Sequence, residues 1–250
     1  MIDLAGKRAL VTGGSRGIGA ATARLLASAG ADVALTYHSR ADAANAVLGE
    51  MRGLGRRALI HGGDLADPAV VDDLTGLLRR EFGGLDIFVA NAGVWPPDDV
   101  PLARMPADRW RRTMATNLDA VFLGTRAALG LMGESGTVIL VSSTAGQRGE
   151  AFHADYAATK GAIIALTKSL AIECAPRITV NCVAPGWVDT DMSATAYADG
   201  GRARVAAGIP LQRIATAEDI AGPILFLASP LARHLTGEVI NVNGGSVLCG

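Results

Sequence analysis

The feature that most constrains the fold is a glycine-rich segment directly after the first predicted strand. Residues 12–19 read TGGSRGIG and connect a short apolar run to a helical segment. Glycines at 13, 17 and 19 allow a tight turn and a close approach of the backbone to a pyrophosphate, whose charge faces the helix N-terminus. This context predicts a dinucleotide site. The residues expected to form it are Gly13, Ser15, Arg16, Gly17, Ile18 and Gly19.

Strand-like runs alternate with longer helical segments along the whole chain. The predicted strands are residues 8–12, 32–37, 57–61, 86–90, 137–142, 178–183 and 238–242. The predicted helices are residues 18–29, 41–54, 68–82, 106–132, 155–173 and 217–228. This alternation predicts an α/β fold: one Rossmann domain over residues 1–250, with a doubly wound parallel sheet of about seven strands and helices on both faces. Residues 190–214, rich in Ala and Gly, are predicted to form a substrate flap at the carboxyl ends of the strands.

Composition and charge argue against several other classes of protein. The net charge of −1 gives no electrostatic reason to expect a nucleic-acid partner or an acidic membrane. No apolar stretch is long enough to span a bilayer and the N-terminus lacks a signal-peptide pattern, so a cytoplasmic enzyme is expected. Cys174, Cys182 and Cys249 lie at unrelated spacings without a histidine cluster, which predicts free thiols and no metal site.

The end of the second predicted strand bears on the choice of cofactor. NAD sites of this topology usually place a carboxylate there, but residues 37–40 read YHSR. Asp32 lies at the opposite end of the strand and Asp42 already belongs to the next helix. Arg16 and Arg40 are suited to pair with a 2′-phosphate, so NADP(H) is favoured over NAD(H). The contacts expected on this side are His38, Ser39 and Arg40.

A tyrosine and a lysine four residues apart carry the strongest chemical signal. Tyr156 and Lys160 lie early in a predicted helix, where this spacing places both side chains on one face. A free tyrosine has a pKa near 10, and an adjacent ammonium lowers it toward the range of acid/base catalysis. Ser143 directly follows the fifth predicted strand, where its hydroxyl is suited to hydrogen-bond a substrate carbonyl. The three residues predict hydride transfer with Tyr156 as the acid/base.

Together these segments resemble the short-chain dehydrogenase/reductase family over nearly the whole chain. The family motifs follow in order as TGGSRGIG at 12–19, NAG at 91–93, TNLDAVF with Asn117, LVSS with Ser143, YAATK at 156–160 and NCVAPGWVDTDM at 181–192. The resemblance implies that Tyr156 exchanges the proton, while Lys160 holds the nicotinamide ribose and lowers the tyrosine pKa. It implies that Ser143 polarises the carbonyl and that Asn117 anchors a water of the proton relay. The remaining cofactor contacts expected are Asp64, Leu65, Asn91, Ala92, Gly93, Pro185, Gly186, Val188 and Thr190.

Within the family, the chain most resembles 3-oxoacyl-acyl-carrier-protein reductases and their relatives that act on small molecules. The family's carrier-docking patch is basic, whereas the matching positions here are Glu134 and Ile172. This difference favours a free ketone, secondary alcohol or modified sugar, with a carrier-protein reductase as the alternative. Residues 238–245 resemble those of members that form tetramers, so a homo-oligomer is expected.

The substrate pocket is expected between residues 94–97, residues 144–153 and the flap. The substrate contacts named from the sequence are Ser143, Trp95, Gln147, His153 and Trp187, while Trp110 is expected in the core. A redox-inactive dinucleotide-binding regulator is a remote alternative, because such proteins usually carry a damaged catalytic set. An epimerase or dehydratase is disfavoured by the TGxxxGxG spacing and by the lack of a large C-terminal substrate region.

Overall fold

The computed structural model, which describes residues 2–248, contains a single parallel sheet in that part of the chain. Its strands are β1 (Arg8–Val11), β2 (Asp32–Tyr37), β3 (Ala58–Gly62), β4 (Leu85–Ala90), β5 (Met132–Val141), β6 (Ile178–Pro185) and β7 (Val239–Val242). They lie in the order β3-β2-β1-β4-β5-β6-β7, and every neighbouring pair is parallel. The predicted fold class, with about seven strands, is confirmed.

Helices cover both faces of this sheet. They are α1 (Gly17–Ser28), α2 (Ala41–Gly53), α3 (Pro68–Phe82), α4 (Ala107–Met114), α5 (Ala120–Leu131), α6 (Thr144–Arg148), α7 (Ala154–Glu173), α8 (Ala194–Tyr197), α9 (Gly201–Ala207) and α10 (Ala217–Ala228). Helices α1, α2 and α10 pack on one face, and α3, α5 and α7 pack on the other. The central strands are therefore apolar on both sides rather than alternating. Within residues 2–248, no helix combines the length and apolarity that crossing a membrane requires.

Local capping explains why some helices have the predicted bounds. The Asp67 carboxylate accepts a hydrogen bond of 2.9 Å from the Ala69 N–H, and Pro68 occupies the first turn of α3. Gly83, with φ of 76°, adopts the left-handed conformation that ends this helix. At α10, the side chains of Thr216 and Asp219 each accept a hydrogen bond from the other's backbone N–H.

The predicted helix 106–132 is not one regular α-helix. A π-helical segment, Ala115–Asp119, separates α4 from α5. The expectation that Trp110 lies in the core is wrong: its side chain is 36% exposed, while the neighbouring Arg109 is buried. Strand β5 also begins earlier than predicted, because Met132 pairs with Leu85 of β4 ahead of a shift in register.

The topology opens a crevice where β1 and β4 lie side by side. The chain leaves β1 toward α1 on one face and leaves β4 toward α5 on the other, so no connection covers their carboxyl ends. The two loops approach closely, since a Cβ on Gly13 would lie 2.9 Å from the Ala92 Cα. The fold therefore places the glycine segment and the NAG segment against each other.

Candidate active site

A cavity of about 510 Å³ opens at the carboxyl ends of the strands. The first four flap residues, 190–193, form part of its wall, and the flap continues through α8 and α9. Four residues predicted for the site are outside the wall: Gly19, Asn117, Gln147 and His153. The predicted residues that line it are Gly13, Ser15, Arg16, Gly17, Ile18, His38, Ser39, Arg40, Asp64, Leu65, Asn91, Ala92, Gly93, Trp95, Ser143, Tyr156, Lys160, Pro185, Gly186, Trp187, Val188 and Thr190.

The glycine segment forms a cradle that larger side chains would fill. Gly13 and Gly17 have φ of 65° and 52°, in the left-handed region that favours glycine. A Cβ on Gly19 would lie 2.2 Å from the Gly13 carbonyl oxygen. Gly19 therefore allows the tight turn although it does not itself line the cavity. No side chain caps the start of α1, which leaves its first N–H groups available to an anion. The cradle therefore fits a dinucleotide pyrophosphate.

Thr12, which is not among the site residues predicted from the sequence, joins the two loops of the crevice. Its buried hydroxyl accepts hydrogen bonds of 3.0 Å from the backbone N–H groups of both Asn91 and Ala92. The Asn91 side-chain amide donates in return to the carbonyls of Thr12 and Gly13, at 3.0 and 3.2 Å. The sequence signal that could have identified Thr12 is its position directly before Gly13, at the end of a strand.

Two arginines mark the end of the cavity where a 2′-phosphate is expected. Arg16 Nη1 lies 3.1 Å from Asp191 Oδ2 of the flap, and Arg40 Nη2 lies 3.1 Å from Asp42 Oδ2. Asp42 thus lies beside Arg40, although its place in the predicted helix argued against a position near the site. All four side chains are about half exposed or more, so an incoming phosphate can replace either carboxylate as the arginine's partner.

Ser143, Tyr156 and Lys160 meet in the cavity wall. Burial raises the pKa of Tyr156 to about 12, although a hydrogen bond with the Ser143 side chain acts in the opposite direction. Burial lowers the pKa of Lys160 to about 8. The Lys160 ammonium donates to the Val141 carbonyl at 2.9 Å and lies 5.7 Å from the centroid of the Tyr156 ring. The pKa of Tyr156 thus lies above its usual value, contrary to expectation, because desolvation dominates and the ammonium binds a backbone carbonyl.

Asn117 lies in the π-helical segment, behind the cavity. Its side chain is completely buried, accepts a hydrogen bond of 2.7 Å from the Val94 N–H and donates one of 2.9 Å to the Val94 carbonyl. The amide also contacts the Thr159 hydroxyl of α7 at 3.3 Å. The side chain therefore fixes the segment that carries Trp95, and the sequence contains no local signal for this pairing.

Gln147 and His153, predicted to contact substrate, are turned toward the protein. Gln147 Nε2 donates to Asn241 Oδ1 of β7 at 2.6 Å. His153 is 3% exposed, and its ring stacks on Trp95 with the centroids 4.5 Å apart. Among the described residues, no metal site with three or more His, Cys, Asp or Glu ligands is present.

A buried ion pair supports the residue before Tyr156. Arg109 Nε lies 3.0 Å from Asp155 Oδ2, and the Thr113 hydroxyl donates to the same oxygen at 2.8 Å. Arg109 also donates to the Asp98 carbonyl at 2.8 Å. No local sequence pattern predicts this pair, because the arginine and the aspartate are 46 positions apart and lie on different helices.

Comparison with known proteins agrees with this architecture. A family model described as enoyl-(acyl carrier protein) reductase matches residues 13–246. The 3-oxoacyl-[acyl-carrier-protein] reductase FabG of Salmonella typhimurium is 42% identical over 96% of this chain and 97% of its own length.

Solved structures give the same result. A short chain dehydrogenase from Burkholderia cenocepacia in complex with NADP is 40% identical, with a TM-score of 0.91 over 97% of this chain and 98% of that one. A blue fluorescent protein from a metagenomic library, in complex with NADPH, is 39% identical, with a TM-score of 0.92 over 98% and 100%. The chain belongs to the short-chain dehydrogenase/reductase family of NAD(P)-dependent oxidoreductases that act on CH–OH groups.

Proposed function

We propose that this protein is an NADP(H)-dependent enzyme that interconverts a free ketone and a secondary alcohol, with Tyr156 as its acid/base. The proposal rests on one observation: Ser143, Tyr156 and Lys160 meet in the wall of the cavity whose other end is the glycine cradle. The nicotinamide supplies or accepts the hydride when it is bound. The chain acts as a single dinucleotide-binding and catalytic unit.

Each side chain of the site has its own role at the reacting carbonyl. The Tyr156 phenol gives its proton to the substrate oxygen during reduction and takes it back during oxidation. The Ser143 hydroxyl holds the same oxygen by a hydrogen bond, which favours the charge that develops there. Lys160 holds the nicotinamide ribose, and the cradle and the loop after β6 hold the rest of the cofactor. The flap, whose first residues line the cavity, closes over the bound substrate.

The preference for NADP(H) rests on Arg16 and Arg40, which line the cavity and are accessible to a 2′-phosphate. The double substitution Arg16→Ala and Arg40→Ala is expected to raise the Kd for NADPH at least about tenfold more than the Kd for NADH, because only NADPH carries the extra phosphate. Fluorescence titration with both cofactors measures this. Arg24→Ala, which removes an exposed ion pair with Glu50, is the control and leaves both Kd values unchanged. Equal weakening of both cofactors by the double variant would refute the assignment.

The choice of a free substrate rests on the surface where a carrier protein would dock. Curated relatives such as the Salmonella enzyme are named 3-oxoacyl-[acyl-carrier-protein] reductases, which keeps a carrier-bound substrate as the second candidate. Here Glu134 is exposed at the start of β5, and Ile172 of α7 is 82% exposed. A negative and an apolar side chain give an acidic carrier no electrostatic complement at these positions.

The substrate assignment is tested by NADPH oxidation with a panel of free ketones and with a 3-oxoacyl thioester of acyl-carrier protein. We expect kcat/KM for the best free ketone to exceed that for the carrier thioester. We also expect Glu134→Arg with Ile172→Arg to raise kcat/KM for the carrier thioester alone. A higher kcat/KM for the thioester in the unmodified protein would instead identify a carrier-protein reductase. No turnover of either substrate would favour a redox-inactive regulator.

We also propose a cytoplasmic homo-oligomer, most simply a tetramer. Trp110 and Phe122 expose large aromatic surfaces on α4 and α5, as association surfaces commonly do. Cys174 and Cys182 are free thiols, as in reducing compartments, whereas Cys249 lies outside the described residues. Sedimentation velocity decides the oligomeric state, and a monomer at micromolar concentration would contradict the proposal.

A further inference from the structure

Four aromatic rings contact one another in a row, and the two central rings, Trp95 and Trp187, line the cavity. His153 stacks on Trp95, with centroids 4.5 Å apart and planes 17° apart. Trp95 meets Trp187 edge to face at 6.1 Å, and Trp187 contacts Tyr197 of the flap at 6.0 Å. His153 covers one face of Trp95, but both tryptophans line the cavity, so part of each indole is available to a bound molecule.

The carboxylate of Glu150 lies in the same wall. Its Oε1 accepts a hydrogen bond of 3.2 Å from Trp95 Nε1, which fixes the indole relative to the acid. The side chain is only 26% exposed, yet within residues 2–248 no arginine or lysine forms an ion pair with it. His153 Nδ1 lies 3.9 Å from Glu150 Oε1, in the ring that stacks on Trp95.

A largely buried carboxylate without an arginine or lysine ion pair is energetically costly, and the positive charge of a ligand would reduce that cost. Burial accordingly raises the pKa of Glu150. The charges of His153 and Arg148 act in the opposite direction, but Arg148 is exposed on the cavity wall and forms no ion pair with Glu150 among the described side chains. An anionic ligand against this wall would be repelled by Glu150, and a neutral one would bury its charge further.

Indole faces beside a carboxylate form the type of site that binds organic ammonium groups, because the ring quadrupole and the negative charge both attract a cation. We propose that Glu150, Trp95 and Trp187 form a subsite for a cationic group of the substrate. The preferred substrates are then ketones or secondary alcohols that carry a tertiary or quaternary ammonium group. This inference rests on the proposed function, since it assigns the substrate class of that same site.

The position of Glu150 relative to the reacting centre supports this assignment. Burial is the main cause of the raised pKa of Tyr156, and the negative charge of Glu150 adds to it. Glu150 and Tyr156 both line the cavity, so one bound molecule can face both side chains. A cation held by Glu150 would offset that effect and would belong to the same molecule as the carbonyl at Tyr156.

The test compares two ketones of nearly equal shape. One is a methyl ketone with a terminal trimethylammonium group on a three-carbon chain, and the other carries a neutral tert-butyl group in its place. We expect the unmodified protein with NADPH to favour the cationic ketone by at least about tenfold in kcat/KM. In Glu150→Gln, which keeps an acceptor for Trp95 Nε1, we expect this preference to fall to less than about threefold, mainly through the KM of the cationic ketone.

Asp99→Asn is the matched control. Asp99 Oδ1 lies 3.9 Å from His153 Nε2. The Asp99 side chain is 74% exposed and is not part of the cavity wall. This substitution removes the same charge close by and is expected to leave the preference unchanged. Equal kcat/KM for the two ketones in the unmodified protein would overturn the proposal. A preference that survives Glu150→Gln, or that Asp99→Asn reduces equally, would also overturn it.

A binding measurement separates this inference from the proposed function. Tetramethylammonium is expected to quench the tryptophan fluorescence saturably in the unmodified protein and not in Glu150→Gln, whereas neutral tert-butanol has no saturable effect in either. If neither ketone is reduced, the proposed function fails while this titration still decides the subsite. If the neutral ketone is reduced and tetramethylammonium does not bind, the subsite fails and the proposed function stands.

Discussion

Replacing Tyr156 with phenylalanine is expected to lower kcat for ketone reduction by about one hundred- to ten thousand-fold, the usual contribution of a positioned general acid. The raised pKa of about 12 means that the phenol keeps its proton at neutral pH, which suits it to protonate the substrate oxygen. Phenylalanine fills the same space but has no proton to give. The rate of NADPH oxidation with the best free ketone measures the loss.

Two controls show whether this loss is chemical. Tyr197→Phe removes a hydroxyl that donates to the Val188 carbonyl at 2.9 Å, away from the reacting centre, and a far smaller loss of kcat is expected there. The Kd of Tyr156→Phe for NADPH is expected to stay within about threefold of the unmodified value, because the ring remains in place. Residual turnover above one tenth of the unmodified rate would show that another group supplies the proton.

Arg109→Met is expected to lower the free energy of unfolding by about 3–5 kcal/mol, since it leaves Asp155 charged and buried without its partner. The Asp155 carboxylate is fully buried, and the Arg109 side chain is 9% exposed. Burial by itself raises the pKa of Asp155, but hydrogen bonds from Arg109, Thr113 and the Tyr156 N–H hold it below the usual value. Urea unfolding at one fixed protein concentration measures the change.

Arg112→Met, on the same helix, is the matched control. Arg112 forms an ion pair with Asp108, but both side chains are well exposed, at 71% and 63%. Water already solvates both charges, so we expect a loss of at most about 1 kcal/mol. Equal losses in the two variants would show that the Arg109–Asp155 pair contributes no more than a surface contact. Should Arg109→Met fail to fold, Arg109→Lys, which keeps the charge but loses the planar fork, is expected to show a smaller loss of the same sign.

The elements predicted most accurately are those whose ends are determined by neighbouring residues. The bounds of α3 and α10 are as predicted, because Asp67, Pro68 and Gly83 for one, and Thr216 and Asp219 for the other, act within a turn of the helix end. Strand β2 is also as predicted, since both of its faces are apolar and turn residues flank it. The alternation of strands and helices along the chain then predicts a doubly wound parallel sheet.

Errors occurred where a distant partner decides the structure. Trp110 is exposed because α4 turns Arg109 inward toward Asp155 of α7, so the apolar residue faces out. Strand β5 begins at Met132 because Leu85, far away in sequence, pairs with it.

The predicted substrate contacts were also wrong where a distant residue decides the position of a side chain. His153 was predicted to contact substrate because it lies in the segment 144–153. Its ring is instead stacked on Trp95 and does not line the cavity. Local patterns contain no information about which side chain will lie opposite in the folded chain.

For this protein, the sequence by itself determined the fold class, the glycine cradle and the spacing of Tyr156 and Lys160. Each of these depends on backbone conformation within a few residues or on helical periodicity. Only the tertiary structure decided that Glu150 is largely buried with Trp95 as its hydrogen-bond donor and without an arginine or lysine ion pair among the described residues. It also decided that Lys160 binds a backbone carbonyl while burial raises the pKa of Tyr156. Burial and pairing depend on contacts between residues far apart in the chain, and folding alone brings those residues together.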